Sequence, residues 1–146
     1  MVCAKRPERP HVGGIIRVYT TRKTYQFVRR IARASGRRRV DVVRVAVSLY
    51  VDRPHLFDDL RVAESRKFRL DFRVSKAFRL RMGDLAWKDG LVRGRWLSAI
   101  LARLAAVTEE ADLIKFLRTG QDLQDYMQRV VTDESDNAES DAARKG

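Results

Sequence analysis

Residues 28–51 read VRRIARASGRRRVDVVRVAVSLYV, in which a glycine and three arginines separate a helical pattern from a valine-rich run. The apolar residues before the glycine share one helical face: Phe27, Val28, Ile31 and Ala32. Gly36 suits the left-handed position that ends a helix. The valine run fits either a strand or a helix. A strand is indicated by the alternation of Val43, Val45, Val47, Leu49 and Val51 with other residues. A helix is indicated by an apolar stripe made of Val42, Val43, Ala46, Val47 and Tyr50.

An internal repeat at a spacing of 54 residues favours the helical interpretation. The short strand pattern IIRVYT (15–20) is matched by KFRLDFRVS (67–75), and Gly90 falls on Gly36. The segment that falls on the valine run, LVRGRWLSAILARLAAV, has the leucine and alanine content of a helix. We therefore predict strand, helix, glycine turn and helix, twice in succession. The alternation of side chains predicts that six apolar residues form the inner face of the two strands: Ile16, Val18, Phe68, Leu70, Phe72 and Val74.

This element order, with arginines after the glycine turn, resembles the ribbon-helix-helix family of DNA-binding proteins, the Arc and MetJ type. The resemblance covers residues 15–51 and 67–106. It implies an α+β, mostly helical fold in which two tandem units share one intramolecular antiparallel two-stranded ribbon. The chain is similar to tandem members of the family found among conjugative-plasmid and archaeal-virus proteins, and it would be a single-chain pseudo-dimer.

The remaining segments are interpreted from composition. Residues 1–14 are expected to be a flexible basic arm, 52–66 a linker, 108–131 C-terminal helices and 132–146 a disordered acidic tail. The C-terminal helices have enough apolar residues either to cover the core or to join chains by self-association. Trp87 and Trp96 are interpreted as core or interface residues.

The charge of the chain is large and uneven, with a formal net charge of +12. Residues 1–107 carry 26 lysines and arginines against 9 acidic residues, whereas residues 108–146 carry 5 against 10. Arginine outnumbers lysine by 24 to 7, which favours planar, bidentate contacts with phosphate or guanine. These features are typical of a nucleic-acid-binding protein, and a merely solvated basic surface is the alternative.

The resemblance implies which residues contact DNA. The outer face of the ribbon would read bases in the major groove through Arg17, Tyr19, Arg69, Asp71 and Arg73. Arginine can donate two hydrogen bonds to guanine O6 and N7, and aspartate can accept one from cytosine N4. Members of the family usually have polar residues at the base-contacting positions, whereas Ile15 is apolar. It would contact a thymine methyl group or lie off the DNA. The alternative is an ordinary solvated sheet face.

In the same family, the N-terminus of the second helix points at DNA phosphates, where its free N–H groups and partial positive charge attract anions. The residues that would surround these two N-termini are Arg37, Arg38, Arg39, Arg93 and Arg95. Family members often have serine or threonine at this cap, whereas this chain has Arg38 and Val92. The alternative interpretation of the triple arginine is a solvated turn.

The sequence argues against several other classes. His11 and His55 are the only histidines and no catalytic set or phosphate loop is recognisable, so we expect no enzyme, no cofactor and no small-molecule substrate. A single cysteine, Cys3, makes a cysteine-based metal site unexpected. No apolar stretch approaches the roughly 18 residues of a membrane span, and no secretory signal is recognisable. We expect a cytoplasmic, DNA-associated protein.

The function expected from these features is sequence-specific binding of double-stranded DNA, as a transcriptional regulator. The mixed chemistry of the outer face favours base reading, because an aspartate is a poor choice for indiscriminate phosphate binding. Two alternatives use similar chemistry. One is an accessory factor of a conjugative relaxosome, and the other is a cellular or viral nucleoprotein that coats or packages DNA, in which case it would be found in a virion.

Overall fold

The structure, a computed structural model, describes residues 14–119. It is α+β and mostly helical, with one two-stranded antiparallel sheet, which confirms the expected coarse class. The elements in chain order are β1 (Gly14–Thr20), α1 (Arg22–Ser35), α2 (Arg39–Asp52), a 3₁₀ helix (Pro54–Phe57), β2 (Phe68–Val74), α3 (Lys76–Lys88), α4 (Arg93–Val107) and α5 (Glu110–Arg118). Residues 1–13 of the expected basic arm, the helix after residue 120 and the acidic tail lie outside the described residues. The expected arm is wrong at its last residue, Gly14, which is the first residue of β1.

The valine-rich run is the helix α2, as the repeat predicts. The first residues of β2, α3 and α4 lie 54 positions after those of β1, α1 and α2, so the two halves match without gaps. The matching extends to the helix ends. Thr21 and Ser75 accept hydrogen bonds from backbone N–H groups of α1 and α3, each over 3.2 Å, and Gly36 and Gly90 both have φ of 72°.

The two strands pair in an antiparallel register that places Gly14 opposite Val74 and Thr20 opposite Phe68. The inner face is buried as predicted at Ile16, Val18, Leu70, Phe72 and Val74. The prediction is wrong for Phe68, which is 37% exposed. Phe68 lies at the end of the ribbon, where its ring contacts that of Tyr25 in α1 (centroids 5.4 Å apart) instead of entering the core.

Each strand is covered by a helix from the other half of the chain. Helix α4 packs against β1 and helix α2 packs against β2, while α2 and α4 also pack against each other. Each strand is thus covered by the second helix of the other half, and one hydrophobic core serves both. Because α2 is central, it is buried on almost all sides, at Val40, Asp41, Val42, Val43, Val45, Ala46, Val47 and Ser48. Burial all round explains why its sequence fits a strand as well as a helical stripe.

Helix α5 packs on α1 and covers part of the core with Leu113 and Leu117. Three arginines fasten it to the first half of the chain. Arg30 forms a bidentate ion pair with Glu110 (2.8 and 2.6 Å), Arg118 donates to the carbonyl of Ala34 (2.7 Å), and Arg37 Nε donates to the carbonyl of Leu117 (2.8 Å). Of the two roles expected for the C-terminal helices, α5 therefore covers the core.

Two glycine substitutions are expected to change stability in opposite directions. Gly36→Ala should lower the free energy of unfolding by about 1–2 kcal/mol, because alanine is strained in the left-handed conformation. Gly83→Ala should raise it by about 0.5–1 kcal/mol, because Gly83 lies inside α3 and a methyl group there would meet open space. Chemical denaturation measures both, and a stabilising Gly36→Ala variant would contradict the turn geometry.

Candidate nucleic-acid interface

The outer face of the ribbon carries six side chains that alternate with the buried ones. Arg17 lies opposite Asp71, Tyr19 opposite Arg69, and Ile15 opposite Arg73. All are exposed except Asp71, which is half-buried. The structure thus brings together on one surface all five residues that the sequence predicts as base readers, together with the apolar Ile15.

Asp71 lies between two of the arginines. Its Oδ1 is 3.4 Å from Arg69 Nε on the same strand and 3.9 Å from Arg17 Nε on the neighbouring strand. Neither contact is a hydrogen bond, and ion pairs this exposed contribute little to stability. Because Nε is the arginine atom nearest the carboxylate in both contacts, the two terminal nitrogens of each guanidinium are left for bidentate hydrogen bonding to another acceptor.

The N-terminus of α4 lies close to the middle of β1. A Cβ atom at Gly94 would be 3.6 Å from the carbonyl oxygen of Arg17, an ordinary van der Waals distance, so this turn of the helix packs directly against the strand. Arg95, in the first turn of α4, is exposed, and the neighbouring Arg93 is half-buried. Burial lowers the pKa of Arg93, and the positive charge of Arg79 lowers it further.

Arg79 is a cation of this region that sequence reasoning missed. It is exposed on the first turn of α3, and its Nη1 would be 2.9 Å from a Cβ atom at Gly14, so its side chain lies beside the first residue of β1. Its counterpart in the first half is Tyr25, so the repeat gives no hint of it. The available signal was its position four residues after the cap Ser75, one helical turn from the end of β2.

The three arginines before α2 do not form a single cluster. Arg38 and Arg39 are exposed, whereas Arg37 is half-buried and donates its Nε–H to the carbonyl of Leu117. Arg37 therefore fastens α5, a role that the sequence prediction did not foresee.

Asp41 replaces the missing side-chain cap of α2. It is buried, and its Oδ2 accepts from the backbone N–H of Arg38 over 3.3 Å, while its Oδ1 accepts from Arg44 Nη1 over 3.4 Å. A carboxylate at this position already offsets the positive end of the helix dipole. Anion binding at this N-terminus would then depend on the side chains of Arg38 and Arg39 more than on the helix itself.

A hydrogen-bonded cluster fixes the turn that leads into α4. Asp89 Oδ2 accepts from the Tyr50 hydroxyl over 2.6 Å and from Trp96 Nε1 over 2.9 Å, and the two rings meet edge to face. Tyr50 belongs to α2 and Trp96 to α4, so the cluster ties the turn to the centre of the fold. It thereby sets where the first turn of α4, with Arg93 and Arg95, lies.

The two tryptophans have different environments. Trp96 is fully buried, which confirms its assignment to the core. Trp87 is 83% exposed on α3, so a core role for it is wrong. In the repeat, Trp87 corresponds to the exposed Arg33 of α1, a position that faces away from the core in both halves.

The described residues hold no group of three histidine, cysteine, aspartate or glutamate side chains arranged to bind a metal ion. Among the helices of residues 14–119, none is long and apolar enough to cross a membrane. Comparison of the chain with protein-family models, with curated proteins and with solved structures finds no match. A functional assignment therefore depends on the residues and geometry described above.

The Tyr50 cluster predicts a pH dependence of stability. Burial, and then the hydrogen bond to Asp89, raise the pKa of Tyr50 from 10.0 to about 12. Because the pKa is higher in the folded state, the stabilisation is complete below about pH 10 and is lost as the pH rises towards 12. The stability difference between wild type and Tyr50→Phe should therefore shrink between about pH 10 and 12, as measured by chemical denaturation. A difference that stays constant over this range would contradict the cluster.

Proposed function

We propose that this protein binds double-stranded DNA in a sequence-specific manner, as a transcriptional regulator built from two tandem ribbon-helix-helix units. The observation that carries the proposal is the outer face of the ribbon. Its side chains are held on a rigid two-stranded sheet whose other face is locked into the core, and they include three arginines and one aspartate.

The two-stranded form and the chemistry of this face suit the major groove. The groove admits a two-stranded ribbon, and there each base pair presents a distinct pattern of donors and acceptors. Arg17, Arg69 and Arg73 would donate to guanine, and Asp71 would accept from cytosine N4. Since a carboxylate is repelled by phosphates, its position among the arginines favours contact with base edges over contact with the DNA backbone.

Cations beside the ribbon would hold the DNA backbone. Arg38 and Arg39 lie exposed at the start of α2, and Arg95 lies exposed in the first turn of α4, beside β1. The positive charge of Arg79 lowers the pKa of Arg93, and a phosphate that contacts both arginines would offset their repulsion. Arg37 is left out of this set because its side chain is half-buried against α5, where it is bonded to the carbonyl of Leu117.

Removal of a ribbon arginine should relax sequence preference. Arg69→Ala or Arg73→Ala is expected to lower the preference for cognate over scrambled duplex by about 1–3 kcal/mol, because a bidentate contact with guanine discriminates by that amount. Competition binding at fixed salt measures the effect. Arg61→Ala, at an exposed linker position, is the matched control and should leave the preference unchanged. Equal losses of cognate and scrambled affinity would instead favour a nucleoprotein that coats DNA.

Removal of the cations at the start of α2 should lower affinity for all duplexes and leave the sequence preference unchanged. Arg38→Ala/Arg39→Ala is expected to weaken binding to all duplexes similarly, and to reduce the slope of log affinity against log salt by about 0.9 for each phosphate that these arginines neutralise in the wild type. A salt titration with a thermal melt of the variant separates this effect from misfolding. An unchanged slope would exclude these two arginines from the DNA backbone.

A further inference from the structure

The two halves of the ribbon are related by an approximate two-fold axis that passes between Arg17 and Asp71. The spacing of 54 residues makes these two residues counterparts in the repeat, and the antiparallel register places them opposite each other. A residue that lies opposite its own counterpart marks the axis of a two-fold pair. The other outward-facing positions are then related across this axis.

The outward-facing counterparts differ in chemistry at every position. Ile15 corresponds to Arg69, Arg17 to Asp71, and Tyr19 to Arg73. An apolar side chain is thus matched with a cation, a cation with an anion, and an aromatic ring with a cation. The backbone of the ribbon is close to symmetric, whereas the surface that it presents has no symmetry.

The flanking positions differ in the same way. The exposed Arg38 before α2 corresponds to Val92 before α4, which is 66% exposed. Arg79, beside the end of the ribbon, corresponds to Tyr25, whose ring packs against Phe68 and lies under Arg29. The cations available for phosphate are therefore also arranged differently on the two sides of the axis.

Resting on the proposed function, we infer that the ribbon recognises a DNA site whose two halves differ in sequence, and that it binds that site in one orientation. A palindromic site presents the same base edges to both strands, so it can match only one of them. A half-turn about the axis exchanges Arg17 with Asp71 and brings a carboxylate to guanine acceptors. One orientation should be favoured at least about fivefold, since the loss of a single bidentate base contact lowers affinity by about that factor or more.

Arg17 and Asp71, the two residues on the axis, also favour pairing of β1 with β2 over pairing of β2 with a second copy of itself. If β2 paired with a second copy of itself in this register, two Asp71 carboxylates would lie directly opposite each other and repel. The pairing of Arg17 with Asp71 has opposite charges instead. Like-charge repulsion on the axis therefore disfavours pairing of β2 with its own copy, even though the exposed Arg17–Asp71 pair itself contributes little to stability.

The first test is binding selection from random duplexes with the full chain, followed by orientation mapping on the selected duplex. An iron chelate that cleaves DNA is attached at Lys23→Cys or at Ala77→Cys, each with Cys3→Ser. These two exposed positions are counterparts that begin α1 and α3, at opposite ends of the ribbon. We expect a non-palindromic motif, with each variant cleaving one flank and the two variants cleaving opposite flanks. A palindromic motif, or equal cleavage of both flanks, would overturn the inference.

The second test makes the ribbon symmetric. Arg69→Ile/Asp71→Arg/Arg73→Tyr gives β2 the same outward residues as β1, and the variant is expected to select a palindromic motif. Retention of the wild-type motif by the folded variant would overturn the inference. If the variant does not fold, the cleavage pattern from the first test, in which the ribbon is wild-type, still decides whether the protein binds in one orientation. Failure of the wild type to enrich any motif would refute the proposed function itself, an outcome distinct from a palindrome, which refutes only the asymmetry.

Discussion

The pairing of β1 with β2 within one chain is the constraint on which the rest of the structure depends. A two-stranded ribbon is unstable alone in water, and here it is stable because its inner face is buried on helices. Since α4 covers β1 and α2 covers β2, neither half of the chain has a complete core without the other. The same pairing gathers the outward residues of two distant segments on one surface.

The alternation of the strands divides the ribbon into an inner face that packs in the core and an exposed outer face that carries the proposed base readers. Residues such as Val18 and Leu70 cannot be changed without loss of core packing, whereas Tyr19 and Arg69 are free of that requirement. The helices then place further cations beside the outer face, and the cluster of Tyr50, Asp89 and Trp96 holds the turn before α4. The proposed function needs side chains held in this way, because loosely held arginines would bind phosphate indiscriminately.

Much of the fold could be predicted because the repeat provides two different sequences for the same order of strand, helix, turn and helix. The valine run of α2 is ambiguous alone, and only its leucine-rich counterpart in α4 identifies it as a helix. What the sequence could not provide are contacts between distant segments. The bond from Arg37 to Leu117 spans 80 residues, and Arg79 reaches Gly14 from another element, so neither follows from local periodicity. The inward assignment of Phe68 and the core assignment of Trp87 are wrong because period alone does not reveal where the covering helices end.

Methylation interference on the selected duplex tests most directly whether the ribbon lies in the major groove. Guanine N7 is exposed in the major groove and adenine N3 in the minor groove. We predict that methylation of guanine N7 within the site prevents binding, while methylation of adenine N3 at neighbouring positions leaves binding intact. Interference confined to adenine N3, with none at guanine N7, would contradict a ribbon in the major groove.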